Sequence, residues 1–216
     1  MSHLKRQEVP TTWPISRKGT AYVIKPKFDM YRAMPLLVVL RDLLKIVRNT
    51  REIKKAVHEK MILINGKNAK NEKSTVQLFD SIKLVPSQKC YRLALSPKGK
   101  FIMEEVKEED TYHKVSKIID KKILNGKKVQ LNLNDGRNFL SDIKCHINDS
   151  VMIDLKNKKI TKCLPLKEGA KIAVIAGKHL GGIGELTKFK PERKMASLNI
   201  NGNKIDVLIK QIMVTG

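Results

Sequence analysis

The residues best equipped for metal or nucleophilic chemistry are the histidines His3, His58, His113, His146 and His179 and the cysteines Cys90, Cys145 and Cys163. No two histidines stand at zinc-ligand spacing, and no C-x-x-C occurs. Cys145 and His146 are adjacent, but neighbours on a strand point to opposite faces. No G-x-S-x-G element and no Cys/His constellation is present. A cluster of carboxylates, Glu104, Glu105, Glu108, Glu109 and Asp110, matches neither a calcium loop nor a hydrolase pair. It reads as a solvated face that limits where a polyanion can sit, or as a protein contact. Gly177 to Gly184 lacks G-x-x-x-x-G-K-[ST], and Thr187 stands where the third glycine of a dinucleotide fingerprint belongs. What remains is a glycine-rich turn whose backbone is expected to approach a ligand, an RNA phosphate or a base edge, with Lys178 and His179 beside it. Catalytic residues, a metal site and a cofactor are therefore not expected.

The chemistry in surplus is cationic. The chain of 216 residues has 44 Lys+Arg against 21 Asp+Glu, a formal net charge of +23. Such a body repels itself, and a polyanion relieves the repulsion while releasing condensed counterions. Nucleic acid is the expected partner. Aromatics are only 5%, which argues against a base-stacking platform of the kind that binds single strands without sequence preference and favours contacts through charge and shape with folded RNA. Three separated cysteines point to thiols in a reducing compartment. The longest apolar run, Leu36 to Leu40, is far short of a membrane span, and Met1 to Pro14 has no signal-like apolar stretch.

Several elements would position these cations. Residues 1–35 carry Pro10, Pro14, Pro26 and Pro35 among Lys5, Arg6, Arg17, Lys18, Lys25, Lys27 and Arg32. They read as an extended basic arm that orders only against RNA. Leu37, Leu40, Leu44 and Val47 predict a helix that sets Arg41, Lys45 and Arg48 on one stripe. Asn49 or Thr50 would cap a second helix, with Glu52 in its first turn, Ile53, Ala56 and Val57 inward, and Arg51, Lys54, Lys55 and Lys60 outward. Met61 to Ile64 runs into Asn65-Gly66, a hairpin signal. Strands are expected at 81–85, 91–95 and 101–106, around the turn Ser96-Pro97-Lys98-Gly99. Alternation at Val129, Leu131 and Leu133 before Asn134-Asp135-Gly136, and at Val151 and Ile153 before the basic turn 155–159, predicts more hairpins. Strands at 172–175, 195–200 and 204–209, the last two flanking Asn201-Gly202, fit a small five-stranded barrel.

Two of these segments carry a family resemblance. Leu40 to Leu44, Thr50 to Lys54 and Ile62 to Lys67 together resemble the S-four RNA-binding domain, two helices on a small sheet. Gly169 to Leu186, with Gly177, Gly181 and Gly184, resembles a KOW motif. Their order, with His3-Leu4-Lys5-Arg6, Trp13, Arg92-Leu93, Lys98 to Phe101, Asn148 to Leu155 and Gly202 to Lys204, is similar to the small-subunit ribosomal protein S-four-e family along essentially the whole chain. Segments 27–34 and 74–80 depart from the family pattern and leave the local loop path open.

The resemblance implies an α+β, mostly β architecture: a basic arm at 1–35, an S-four-type domain at 36–100, a β-rich central domain at 101–168 and an SH3-like KOW barrel at 169–216. It implies RNA contacts on Arg41, Lys45, Arg51, Lys54, Lys55 and Lys67, and on Lys178 and His179 of the KOW turn. Arg48, Lys5 and Arg6 join them from the charge reading. The expected partners are small-subunit ribosomal RNA and neighbouring ribosomal proteins in the cytoplasm, with neither membrane nor small-molecule substrate. An RNA-modifying enzyme with an S-four docking arm and a KOW-type transcription-elongation factor are the alternatives.

Overall fold

The computed structural model describes residues 3–141, 143–190, 192–200 and 202–216. The chain divides into two compact units, Met1–Ser96 with Lys100–Tyr112, and Pro97–Gly99 with His113–Gly216. The architecture is mostly β, with few helices and several antiparallel sheets.

In the first unit, β1 (Leu4–Lys5) pairs with β2 (Tyr22–Val23), and β3 (Ala33–Pro35) pairs with β6 (Thr75–Gln77). A short helix, α1 (Leu36–Val38), continues as a widened π-type turn over Val39–Leu43. The next helix, α2, spans Thr50–His58. The main sheet has the order β5-β4-β7-β8-β9, built from β4 (Ile62–Ile64), β5 (Lys67–Asn68), β7 (Ser81–Leu84), β8 (Lys89–Leu95) and β9 (Phe101–Glu105). The β8–β9 hairpin crosses residue 100, so the sheet of this unit extends past the S-four-like segment.

The core of this unit corrects two expectations. Leu36 to Leu40 are all buried, as five consecutive apolar residues require of a helix with no polar face. The helix cannot continue outward as a charged surface rod. Its last turn widens instead, with Leu44 N–H donating to Val39 O at 3.0 Å and Ile46 N–H to Leu40 O at 3.0 Å. Lys45 then turns into the left-handed region at φ 54°. Arg41, Lys45 and Arg48 therefore do not share a helical stripe. The N-terminal segment is also no free arm. Leu4 and Trp13 sit in the same core as Leu40, Ile53, Ile82 and Leu93. The Trp13 indole N–H donates to Met30 O at 3.1 Å. Two apolar anchors and a backbone bond from Phe101 N–H to Thr12 O at 2.9 Å hold a stretch whose composition reads as disordered.

Local rules hold well elsewhere. Asn65 and Gly66 both take positive φ, 52° and 74°, and join β4 to β5 in the tight hairpin. Asn65 is also buried, donating from Nδ2 to Asp80 Oδ1 at 2.7 Å and accepting from Ser81 N–H at 3.1 Å. Asp80 accepts a further bond from Gln77 N–H at 2.8 Å. The loop that departs from the family pattern is thus tied to the hairpin by its own buried carboxylate.

The second unit holds two five-stranded antiparallel sheets. The first has the order β12-β11-β10-β13-β14, from β10 (His113–Ile123), β11 (Val129–Leu133), β12 (Asn138–Leu140), β13 (Ser150–Asp154) and β14 (Lys159–Leu164). Ile118, Leu131, Leu133, Val151 and Ile153 form its core. The other has the order β18-β17-β16-β15-β19, from β15 (Lys171–Val174), β16 (Ile183–Lys190), β17 (Met195–Ile200), β18 (Asn203–Leu208) and β19 (Ile212–Val214). Its core is Ile172, Val174, Leu186, Leu198, Val207 and Ile212. The hairpin expected at Asn201-Gly202 has Asn201 outside the described residues; β17 and β18 on either side pair antiparallel.

Candidate nucleic-acid interface

Helix α2 is the most sharply built cationic surface. The Asn49 side chain accepts hydrogen bonds from Arg51 N–H at 3.0 Å and Glu52 N–H at 3.1 Å, satisfying two amides that a helix start leaves orphaned. Glu52 reaches back to Arg48 N–H at 2.8 Å and to Asn49 Nδ2 at 3.1 Å. This carboxylate also suits the positive end of the helix dipole. Ile53 is fully buried, and Ala56 and Val57 pack beside it. That inward face leaves Arg51, Lys54 and Lys55 exposed at i, i+3 and i+4 on one outer face.

These cations are lightly engaged. Lys54 approaches Glu72 at 4.0 Å and Lys55 approaches Glu59 at 3.9 Å. Long, exposed pairs of this kind contribute ~0–1 kcal/mol, so they yield readily to a phosphate. The side chains of Lys45, Arg48, Arg51 and Lys67 have no hydrogen-bond or ion-pair partner among the described residues. Lys45 and Arg48 lie in the loop before α2, and Lys67 lies on the β4–β5 hairpin.

Two of the expected contacts are spent internally. Arg41 grips its neighbour Asp42 with both arms, Nε to Oδ1 at 3.1 Å and Nη2 to Oδ2 at 2.8 Å. Arg6 donates from Nε to Thr20 O at 2.6 Å, from Nη1 to Ser16 O at 2.8 Å and from Nη2 to Thr20 Oγ1 at 2.8 Å. Arg6 closes the loop 6–20, while Lys5 beside it stays exposed. Residue type and position do not disclose this use, because the carbonyls that capture Arg6 are 10 and 14 residues away.

In the second unit, Lys178 is exposed and His179 half-buried in the glycine turn. The glycines there answer to neighbours within the protein. A Cβ on Gly184 would lie 2.2 Å from Asn199 O, and one on Gly182 would lie 2.9 Å from Ile200 Cδ1. A Cβ on Gly177, at φ +90°, would lie 2.7 Å from Gln211 Oε1. These glycines let the turn pack against β17 and the segment before β19. Packing inside the protein accounts for these glycines without a ligand.

The acidic segment is partly tied down. Glu108 pairs with Lys83, whose ammonium is held above its usual range by that hydrogen bond, and Arg92 donates to Asp110 O. Cys163 lies against Cys145 and Asp149, and its thiol is pushed up to about 12, first by burial and then by these neighbours. It is a half-buried thiol, protonated at neutral pH. No group of three or more His, Cys, Asp or Glu able to hold a metal occurs among the described residues. Among them no helix is long and apolar enough to cross a membrane.

Residues 87–160 match the family model described as Ribosomal family S4e, and residues 2–28 match the RS4NT (NUC023) domain. The small ribosomal subunit protein eS4 of Methanocella arvoryzae is 40% identical over 198 residues, covering 90% of this chain and 84% of that protein. The eS4 protein of Archaeoglobus fulgidus is 34% identical over 209 residues, 95% of this chain and 88% of the relative. The crystal structure of the 30S ribosomal protein S4e from Thermoplasma acidophilum superposes with a TM-score of 0.73 at 22% identity, covering 86% of this chain and 95% of that one, a likeness of fold.

Proposed function

The chain belongs to the S4e family of ribosomal proteins, and on that premise we propose that it is a structural constituent of the small ribosomal subunit that binds and stabilises folded ribosomal RNA. The protein contributes no catalytic step. Its mechanism is electrostatic anchoring by cations mounted on small rigid modules, with backbone phosphates as their targets. Within it, residues 36–100 supply the S-four-type module, whose sheet β9 completes, residues 101–168 lead on through the β-rich centre and residues 169–216 form the KOW-type element. Arg51, Lys54, Lys55 and Lys67 make the principal contacts, joined by Lys45, Arg48, Lys5 and Lys178. Neighbouring ribosomal proteins complete its surroundings.

One observation supports this reading above the others: α2 is capped by Asn49, pinned by buried Ile53, and presents cations alone at positions 51, 54 and 55. Neither an RNA-modifying enzyme nor an elongation factor is favoured by relatives that carry the ribosomal name over more than four-fifths of their length. Sedimentation of a lysate through a sucrose gradient tests the proposal. The protein is expected in small-subunit fractions, shifting to the top after ribonuclease treatment. A peak with RNA polymerase, or among free proteins before ribonuclease, overturns it.

A further inference from the structure

The N-terminal segment holds a built site that the helix reading does not use. The Arg6 guanidinium, fastened by three hydrogen bonds to Ser16 and Thr20, staples residues 6–20 into a fixed loop. Gly19 adopts φ +141°, and a Cβ there would stand 3.0 Å from Arg6 Cζ, so the backbone lies flat against the guanidinium as only glycine permits. The rigid loop borders a cavity of about 510 Å³ walled by Lys5, Arg17, Lys18, Gly19 and Tyr22. A second cavity of about 310 Å³, which shares Arg6 and Arg17, is lined by Trp13 and Lys100. Among the described residues no carboxylate lines either cavity.

Tyr22 gives the larger cavity its character. The residue is 59% exposed although its strand is paired, with Lys5 opposite it. The His3 ring meets it at 5.1 Å and 85°, an edge-on contact that covers at most one face. An exposed aromatic residue beside three cations, with Glu8 drawn to the Lys5 backbone N–H at 3.4 Å and absent from the cavity lining, is suited to a nucleobase with its phosphates. A base within a duplex has both faces stacked and cannot reach such a ring, whereas an unpaired one can.

We infer that this N-terminal cradle seats an unpaired nucleotide of the bound RNA, its base stacked on Tyr22 and its flanking phosphates on Lys5, Arg17 and Lys18. The inference rests on the RNA-binding reading and adds a second, chemically different mode to it. Aromatics are scarce in the whole chain, yet Tyr22, Phe28 and Tyr31 are three exposed aromatic rings within ten residues of this segment.

The test uses the full-length protein and a small-subunit ribosomal RNA transcript. Tyr22→Ile keeps bulk and strand propensity but removes the aromatic face, and Tyr22→Phe restores it. Base–aromatic stacking sets the scale: Tyr22→Ile should weaken binding about 5- to 100-fold, with Tyr22→Phe within about twofold of the unmodified protein. Its salt slope should stay unchanged, whereas Lys18→Ala should lower the slope by about one. Emission from Trp13, the single tryptophan and a buried one, reports whether the cradle stays folded in each variant. Should Tyr22→Ile bind like the unmodified protein while Arg51→Ala with Lys54→Ala still weakens binding, the stacking site is wrong and the RNA reading stands. If the unmodified protein ignores the transcript at low salt, both fall together.

Discussion

Helix α2 in the first unit and strand β10 in the second both carry cations, and they use them in opposite ways. On α2, Lys54 and Lys55 keep 62% and 78% of their side chains exposed, and their acidic neighbours stand about a full ion-pair limit away. On β10, Lys114 and Lys117 are buried. Lys114 Nζ lies 3.2 Å from Asp135 Oδ2, and Lys117 Nζ donates to the carbonyls of Ile209 and Ile212, the latter at 3.0 Å. An ammonium in such a place must be satisfied internally or not be there, because its desolvation costs several kcal/mol. The net charge of +23 counts all four alike. Only those on α2 are available to a phosphate, so charge bounds the class of partner and burial selects the residues that meet it.

The largest effect expected from this contrast is collective. If the exposed cations contact ~6–10 phosphates, affinity for ribosomal RNA should fall ~10³–10⁵-fold between 50 and 200 mM salt. Filter binding across that range checks it, and a flat response breaks the electrostatic account of α2. The buried member comes next. Lys114→Met removes the ammonium 3.2 Å from the buried Asp135 carboxylate, which Arg137 approaches at 3.6 Å. It should destabilise the protein by about 3 kcal/mol in urea unfolding while leaving the salt slope of binding untouched.

The converse experiment is Arg51→Ala combined with Lys54→Ala. Binding should weaken roughly tenfold and the salt slope drop by about two, with no change in the unfolding midpoint. A lowered midpoint with unchanged affinity would reverse the roles assigned to the two regions. Smallest of all, Asn49→Ala removes the cap that orients the α2 cations. It should cost about 1 kcal/mol of stability and weaken RNA binding less than the double substitution does.

How far local sequence carries can be seen residue by residue. Asn65-Gly66 specifies its hairpin because few dipeptides tolerate two positive φ angles. Asn49, Glu52 and Ile53 specify the start and the inward face of α2 through contacts no more than four residues apart. The strand alternation at 129–133 and 150–154 is legible for the same reason. The reading failed where distant partners decide. Spacing alone lines up Arg41, Lys45 and Arg48, but the buried run Leu36 to Leu40 widens the helix end and turns Lys45 out of it. Composition makes residues 1–35 an arm, but Leu4 and Trp13 find a core built by α1, β4, β7 and β8. The glycines of 177–184 look open to a ligand until Asn199, Ile200 and Gln211 arrive beside them.

Composition and short-range pattern therefore determined that this protein is basic and mostly β, made RNA the expected partner, and placed its turns and caps. Those properties depend on side-chain charge and on dihedral preferences that act within a few residues. Which lysines and arginines stay exposed, which are consumed by carbonyls and carboxylates, and where the cavity beside Tyr22 forms were decided only by the tertiary structure. Burial and hydrogen-bond capture couple residues far apart in the chain, and no local propensity carries that information.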